Sequence, residues 1–214
     1  MSPSSPAGAL REWITQRLDP LEDHDPVDGV VASDFEPRSA DLADEPEPLT
    51  PASVLVGLIE REHGYSVLLT RRADTLRRHT GQIAFPGGRR DPGETVWETA
   101  LRETEEEVGI PRTLVTLGGL STPYRTGTGF LVTPVVGFIE PHFTLAPNPA
   151  EVADVFETPF GFLMDPANHE EHEREFSGQL RRFYAMTHEN RFIWGATAGM
   201  LRSLYDRLYG GAVA

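Results

Sequence analysis

The chain has 214 residues, with 33 acidic against 19 basic side chains and a net charge of −14, which argues against general nucleic-acid binding, a task for a basic domain. It has no cysteine, which excludes a disulfide framework and a thiolate metal site, and no lysine, so every basic side chain is an arginine. No apolar run reaches the length of a membrane span and no charged-then-apolar leader opens the chain, so one compact cytoplasmic domain, monomer or homodimer, without membrane contact is expected.

In chain order, residues 8–18 read as a short helix, with Leu10, Ile14 and Leu18 at helical spacing and Trp13 beside them. Residues 19–51 are acidic and Pro-rich and read as a long loop. Residues 1–51 therefore form an N-terminal segment, residues 52–208 the main domain, and residues 209–214 a tail. Strands are expected over Val54 to Glu60 and Ser66 to Arg71, around a turn at His63-Gly64, and over Gln82 to Phe85 ahead of a Gly-Gly turn. A helix runs from Thr95 to Val108, between Pro92-Gly93 and Gly109. Further strands cover Thr113 to Leu117 and Phe130 to Ile139, where Pro134 demands an edge or a bulge. Arg182 to Met186 and Arg191 to Trp194 form a hairpin around Glu189-Asn190, and Ala198 to Leu208 closes the chain as a helix. Mixed strands with two long helices give an α+β fold, a mixed sheet between helices.

The 95–108 helix carries the chemistry. At about 100° per residue, Glu103 and Glu107 lie about 40° apart and Glu106 about 60° to the other side of Glu103. Three carboxylates on one helix face repel one another by a few tenths of a kcal/mol per pair unless solvent or a shared divalent cation relieves them. The charge along the chain sharpens this. Residues 71–90 hold six arginines against one aspartate, and residues 91–107 hold seven acids against one arginine. A basic strip running into an acidic helix suits a polyanion bound together with a divalent metal. Two solvated faces would be the plainer account.

Spacing decides between them. Gly88, Glu94, Arg102, Glu103, Glu106, Glu107, Gly109 and Ile110 fall at the offsets G-x5-E-x7-R-E-U-x-E-E-x-G-U, where U is a bulky apolar residue. This resembles the Nudix box at every position but one. Thr104 stands where an aliphatic residue is usual, a departure that bears on packing rather than chemistry. Just upstream, LLTRRADTLRRHTGQIAFPGG at residues 68–88 is similar to the signature of the coenzyme A diphosphatase branch of Nudix hydrolases. Leu68, Leu69, Thr70, Arg71, Arg72, Arg77, Gly81, Phe85, Pro86 and Gly87 match it, and Ala73 replaces the usual Ser. The similarity extends over roughly residues 52–208.

The resemblance implies the Nudix fold and a hydrolase cutting the diphosphate bond of coenzyme A or its thioesters to 3′,5′-ADP and a 4′-phosphopantetheine compound. It implies Mg²⁺ or Mn²⁺ on Glu103, Glu106 and Glu107, with Glu103, Arg102 and Glu106 as catalytic residues and Arg71 and Arg77 on the substrate. Arg102 would orient a box glutamate and Glu94 would support it. The general base is left among Glu103, Glu106, Glu151 and Asp154. Two other functions fit less of the pattern: a Nudix hydrolase of ADP-ribose or another nucleoside diphosphate derivative, and a nucleotide-binding Nudix module without turnover. Weaker signals are His169 and His172, three apart in NHEEHE and read as an exposed polar loop, the turn Thr126-Gly127-Thr128-Gly129, and His79 beside the basic strip.

Overall fold

In the computed structural model the described residues are 6–22, 32–33, 49–73, 81–176 and 179–210. The elements are α1 (Pro6–Thr15), β1 (Ala32–Ser33), β2 (Thr50–Arg61), β3 (Gly64–Arg72), β4 (Ile83–Ala84), β5 (Gly87–Arg89), α2 (Val96–Val108), β6 (Val115–Leu120), β7 (Tyr124–Arg125) and β8 (Phe130–Ile139). They continue with β9 (Val152–Pro159), α3 (Phe160–Leu163), β10 (Glu170–Phe176), β11 (Gln179–His188), β12 (Arg191–Trp194) and α4 (Ala196–Tyr209). Among the described residues no helix is long and apolar enough to cross a membrane.

The central strand explains the architecture. β2 reads VLVGLI through its middle, apolar on both sides of the pleat, as a strand covered on both faces must be. Leu55 and Ile59 face one core with Val96, Ala100 and Val108 of α2. Val56 and Leu58 face the other, with Ile14 of α1 and Leu201, Leu204 and Leu208 of α4. The result is a mixed sheet between helices, in which β2 runs parallel to β8 and antiparallel to β3. β5 pairs with β2, β6 and β7 with β8, and β4 and β9 with β3. A second, three-stranded antiparallel sheet is β10-β11-β12.

Pro134 corrects an expectation. It lies inside the central strand β8, opposite Val54 of β2, and not on an edge. Its carbonyl accepts from the Ser121 amide on the side away from β2, and its ring nitrogen faces the same way. That side falls between the pairings of β6, which ends at Leu120, and β7, which begins at Tyr124, so no ladder hydrogen bond is forfeited.

Other differences are local. β9 and β10 lie where no strand was expected; of NHEEHE, Asn168 and His169 close a 3-10 turn and Glu170–Glu173 open β10. His169 Nε2 lies 2.7 Å from the Leu163 carbonyl, and His172 stacks on Phe183. The Thr126–Gly129 run closes the β7-β8 hairpin through the Thr126 and Gly129 amides. α1 is not separate from the main core: Trp13 packs on Tyr209 of α4.

Candidate active site

β5 runs along β2, the chain turns through Asp91–Gly93, and α2 then packs back over both strands. Thr95 caps α2 in a reciprocal capping box with Glu98, which satisfies amides that the first helical turn leaves open. Gly109 ends the helix in the left-handed conformation, φ 75°, which a side chain tolerates poorly. Gly88, the first residue of the box, makes room for the site: a Cβ there would stand 2.6 Å from the carboxyl carbon of Glu103.

Arg102 is the hub. Its Nε donates to Glu94 Oε1 at 2.7 Å and its Nη2 to Glu94 Oε2 at 3.0 Å, a two-pronged grip. Its Nη1 donates to Glu103 Oε1 at 2.8 Å and to Glu106 Oε2 at 3.2 Å, and its Nη2 also reaches the Arg89 carbonyl. Glu94 further accepts from the Thr99 hydroxyl and the Asp91 amide. These contacts, the Arg102 hydrogen bonds foremost, hold the Glu94 carboxyl at a pKa of about 2 and raise that of Arg102 above its usual range.

The other carboxylates of the helix face are less well served. Glu107 is only 4% exposed and accepts one long hydrogen bond, 3.3 Å, from the Gly87 amide. Burial pushes its pKa up to about 7; the Gly87 amide and the charge of Arg72 oppose the shift, while Glu103 and Glu151 add to it. Burial also raises Glu103, against the pull of Arg102. The Glu106 side chain remains 57% exposed. Thr104, the departure from the box, is fully buried and returns its hydroxyl to the Ala100 carbonyl at 2.7 Å. The apolar position is thus filled with its polar atom satisfied.

Glu103, Glu106 and Glu107 are brought to one face, with Glu151 near enough to act on two of them. Among the described residues no three His, Asp or Glu side chains are gathered closely enough to enclose an ion. The donor chemistry nevertheless suits a hard cation: oxygen donors only, two of them partly or wholly withdrawn from water and raised in pKa by burial. Asp154 lies elsewhere, hydrogen-bonded to Arg191 Nη1 at 2.8 Å. Arg71 lines a pocket beside Asp154, on the same strand as Arg72. Arg90 is engaged with the Glu94 and Pro51 carbonyls and stays a part of the turn. Arg77 and His79 lie outside the described residues. Nothing in the spacing of the chain marks the influence of Arg72 on Glu107; a register shift in β3 at Arg71/Arg72 accompanies it.

A model of the NUDIX domain matches residues 49–180. This chain belongs to the Nudix family. The Nudix hydrolase NudL of Yersinia pestis (strain Pestoides F) is 42% identical over 158 residues, covering 73% of this chain and 79% of NudL. NudL of Yersinia pseudotuberculosis serotype O:1b matches to the same extent. Two solved structures share the fold. The Nudix hydrolase RenU of M. smegmatis has a TM-score of 0.50 at 20% identity, covering 77% of this chain and 88% of RenU. The MutT protein of Methanosarcina mazei Go1 has a TM-score of 0.50 at 18% identity, covering 80% of this chain and all of its own. The chain is a Nudix hydrolase, an enzyme of phosphoric anhydride bonds in nucleoside diphosphate derivatives, and the family generally works with divalent cations such as Mg²⁺ or Mn²⁺.

Proposed function

We propose that this Nudix hydrolase cleaves the diphosphate bond of coenzyme A or its thioesters, releasing 3′,5′-ADP and a 4′-phosphopantetheine compound. The observation that carries the reading is the run from Leu68 to Gly88, which resembles the coenzyme A diphosphatase signature and feeds directly into the box. β3 and β4 form parts of that run and are paired with each other, and β5 joins it to β2 beneath α2.

Glu103, Glu106 and Glu107 would hold Mg²⁺ or Mn²⁺. A bound divalent cation supplies charge neutralisation at the diphosphate and lowers the pKa of a coordinated water. Arg102 positions Glu103 and Glu106 through its Nη1, and Glu94 fixes Arg102 in turn. A carboxylate takes the proton of the attacking water while the anhydride P–O bond opens. Glu103, Glu106, Glu151 and Asp154 are the candidates for that role; Glu151 acts on the charge of Glu103, and Asp154 accepts a hydrogen bond from Arg191. Arg71 and Arg77 grip substrate phosphate.

Turnover of coenzyme A, ADP-ribose, NADH and diadenosine polyphosphates with Mg²⁺ tests the reading. The highest kcat/KM is expected for coenzyme A. Good turnover of ADP-ribose with none of coenzyme A would overturn the substrate and leave the Nudix chemistry. Arg71→Ala and Arg77→Ala should each lower kcat/KM about ten- to a hundred-fold, since a hydrogen bond to a charged group is worth roughly 1.5–3 kcal/mol. The loss should be larger for coenzyme A than for dephospho-coenzyme A if the 3′-phosphate is what they hold.

A further inference from the structure

A concavity of about 440 Å³ lies between β3 and β4 on one side and β12 on the other. Arg71, Ile83, Asp154, Arg191, Phe192 and Trp194 supply its walls. Arg71 stands in register with Ile83 of β4 and with Asp154 of β9, so three strands meet there. Arg191 is held from two directions: its guanidinium donates to Asp154 at 2.8 Å and lies 3.6 Å from the centre of the Phe156 ring. A guanidinium fixed in this way loses little freedom when it takes an anion.

The opposite wall is aromatic. On β12, Ile193 turns into the core, while Phe192 and Trp194 share the other face. They extend a row of rings across the small sheet, with His172 stacked on Phe183, His172 edge-on to Phe192, and Phe183 edge-on to Trp194. Cross-strand packing accounts for the row itself. It does not account for Phe192 being 45% exposed at the pocket, beside a charged floor. Two aromatic side chains on one wall, and two guanidiniums against one carboxylate on the other, suit a flat aromatic ligand that also carries negative charge.

We propose that this pocket is the nucleoside subsite of the enzyme: Phe192 and Trp194 stack the purine, and Arg71 and Arg191 take the phosphate on its ribose. The inference rests on the diphosphatase reading above and assigns which half of the substrate lies here. The pantetheine arm is flexible and uncharged; its amide and hydroxyl oxygens can accept hydrogen bonds, but it offers neither an anion for two arginines nor a ring for the aromatic wall. The pocket is also within reach of the chemistry. Ile83 is four residues ahead of Gly87, whose amide meets Glu107, a span of at most about 13 Å at roughly 3.3 Å per extended residue. Arg72, next to Arg71, acts on Glu107 through its charge.

The test is calorimetric titration of the Mg²⁺-loaded full chain with 3′,5′-ADP, 5′-AMP and 4′-phosphopantetheine, none of which contains the bond that is cut. Phe192→Ala should weaken 3′,5′-ADP and 5′-AMP by about ten- to a hundred-fold, with Phe192→Tyr restoring them. The exposed ring can be removed without disturbing the fold, which circular dichroism checks. Arg191→Gln should weaken 3′,5′-ADP more than 5′-AMP, and 4′-phosphopantetheine should bind all variants alike. Wild type that fails to bind 3′,5′-ADP, affinity indifferent to Phe192, or a loss that falls on 4′-phosphopantetheine would each overturn the assignment. Coenzyme A turnover with 3′,5′-ADP binding indifferent to Phe192 removes the subsite and keeps the reaction. Phe192-dependent nucleotide binding without coenzyme A turnover does the reverse.

Discussion

The two halves of the Nudix box use one residue type in opposite ways. In the first half, Glu94 receives both prongs of Arg102, the Thr99 hydroxyl and the Asp91 amide, and its carboxyl falls to a pKa of about 2. In the second half, Glu107 receives one long amide bond and is shut from water, and its carboxyl climbs to about 7. Glutamates thirteen residues apart thus differ by several pH units because one is partnered and the other is only buried. The partnered half is framework. The underpartnered half is left with charge that a cation can satisfy.

Removing charge from the underpartnered half should have the largest effect. Glu103→Gln and Glu107→Gln should each lower kcat by about a hundred-fold or more, with the fold intact, because metal binding and water activation fail together. Steady-state kinetics with saturating Mg²⁺ measures this, and near-normal turnover in both variants would dissolve the distinction between the halves.

Next comes stability without metal. A carboxyl raised from 4.5 to about 7 on folding contributes most below pH 4.5, and that contribution is lost as pH rises through about 7. In the presence of chelator, thermal unfolding should therefore show a decline over this window of about 3 kcal/mol. Glu107→Gln should flatten that decline, and Mg²⁺ should offset it in the wild type. Glu94 acts with the opposite sign: its stabilisation is present above 4.5 and fades as pH falls toward 2.

The framework half should respond more mildly and in a different parameter. Arg102→Lys keeps the charge but loses the fork to Glu94. It should reduce kcat about tenfold while KM moves less, since its contacts are to carboxylates that it positions. A large rise in KM at unchanged kcat would place Arg102 on the substrate instead. The smallest effect is expected at Thr104. Thr104→Val fills the same buried space without a hydroxyl, and stability should shift by less than about 1 kcal/mol with kcat unchanged.

Which parts were legible follows the same division between local and distant causes. α2 has a cap, a stop and unbroken helix formers within its own fifteen residues, and β8 is a single apolar run; both were readable. β10 was not, because Glu170, Glu171 and Glu173 on an edge strand carry the composition of a loop. The box spacing placed Glu103, Glu106 and Glu107 on one face, but not their graded burial, which depends on β5 and β2 beneath the helix. Nor did the chain order separate Glu151 from Asp154, three residues apart in sequence. One acts on the box and the other is held by Arg191, a partner 37 residues further on.

Arg102 at the centre of three carboxylates also bears on how the box responds to pH. A guanidinium held above its usual pKa stays cationic wherever the fold survives, and its main partner stays anionic down to about pH 2. The scaffold of the box therefore has an acid limit and no alkaline limit of its own. Loss of activity at high pH thus does not originate in Arg102 or Glu94, while at low pH protons arrive first on the carboxylates that the scaffold presents.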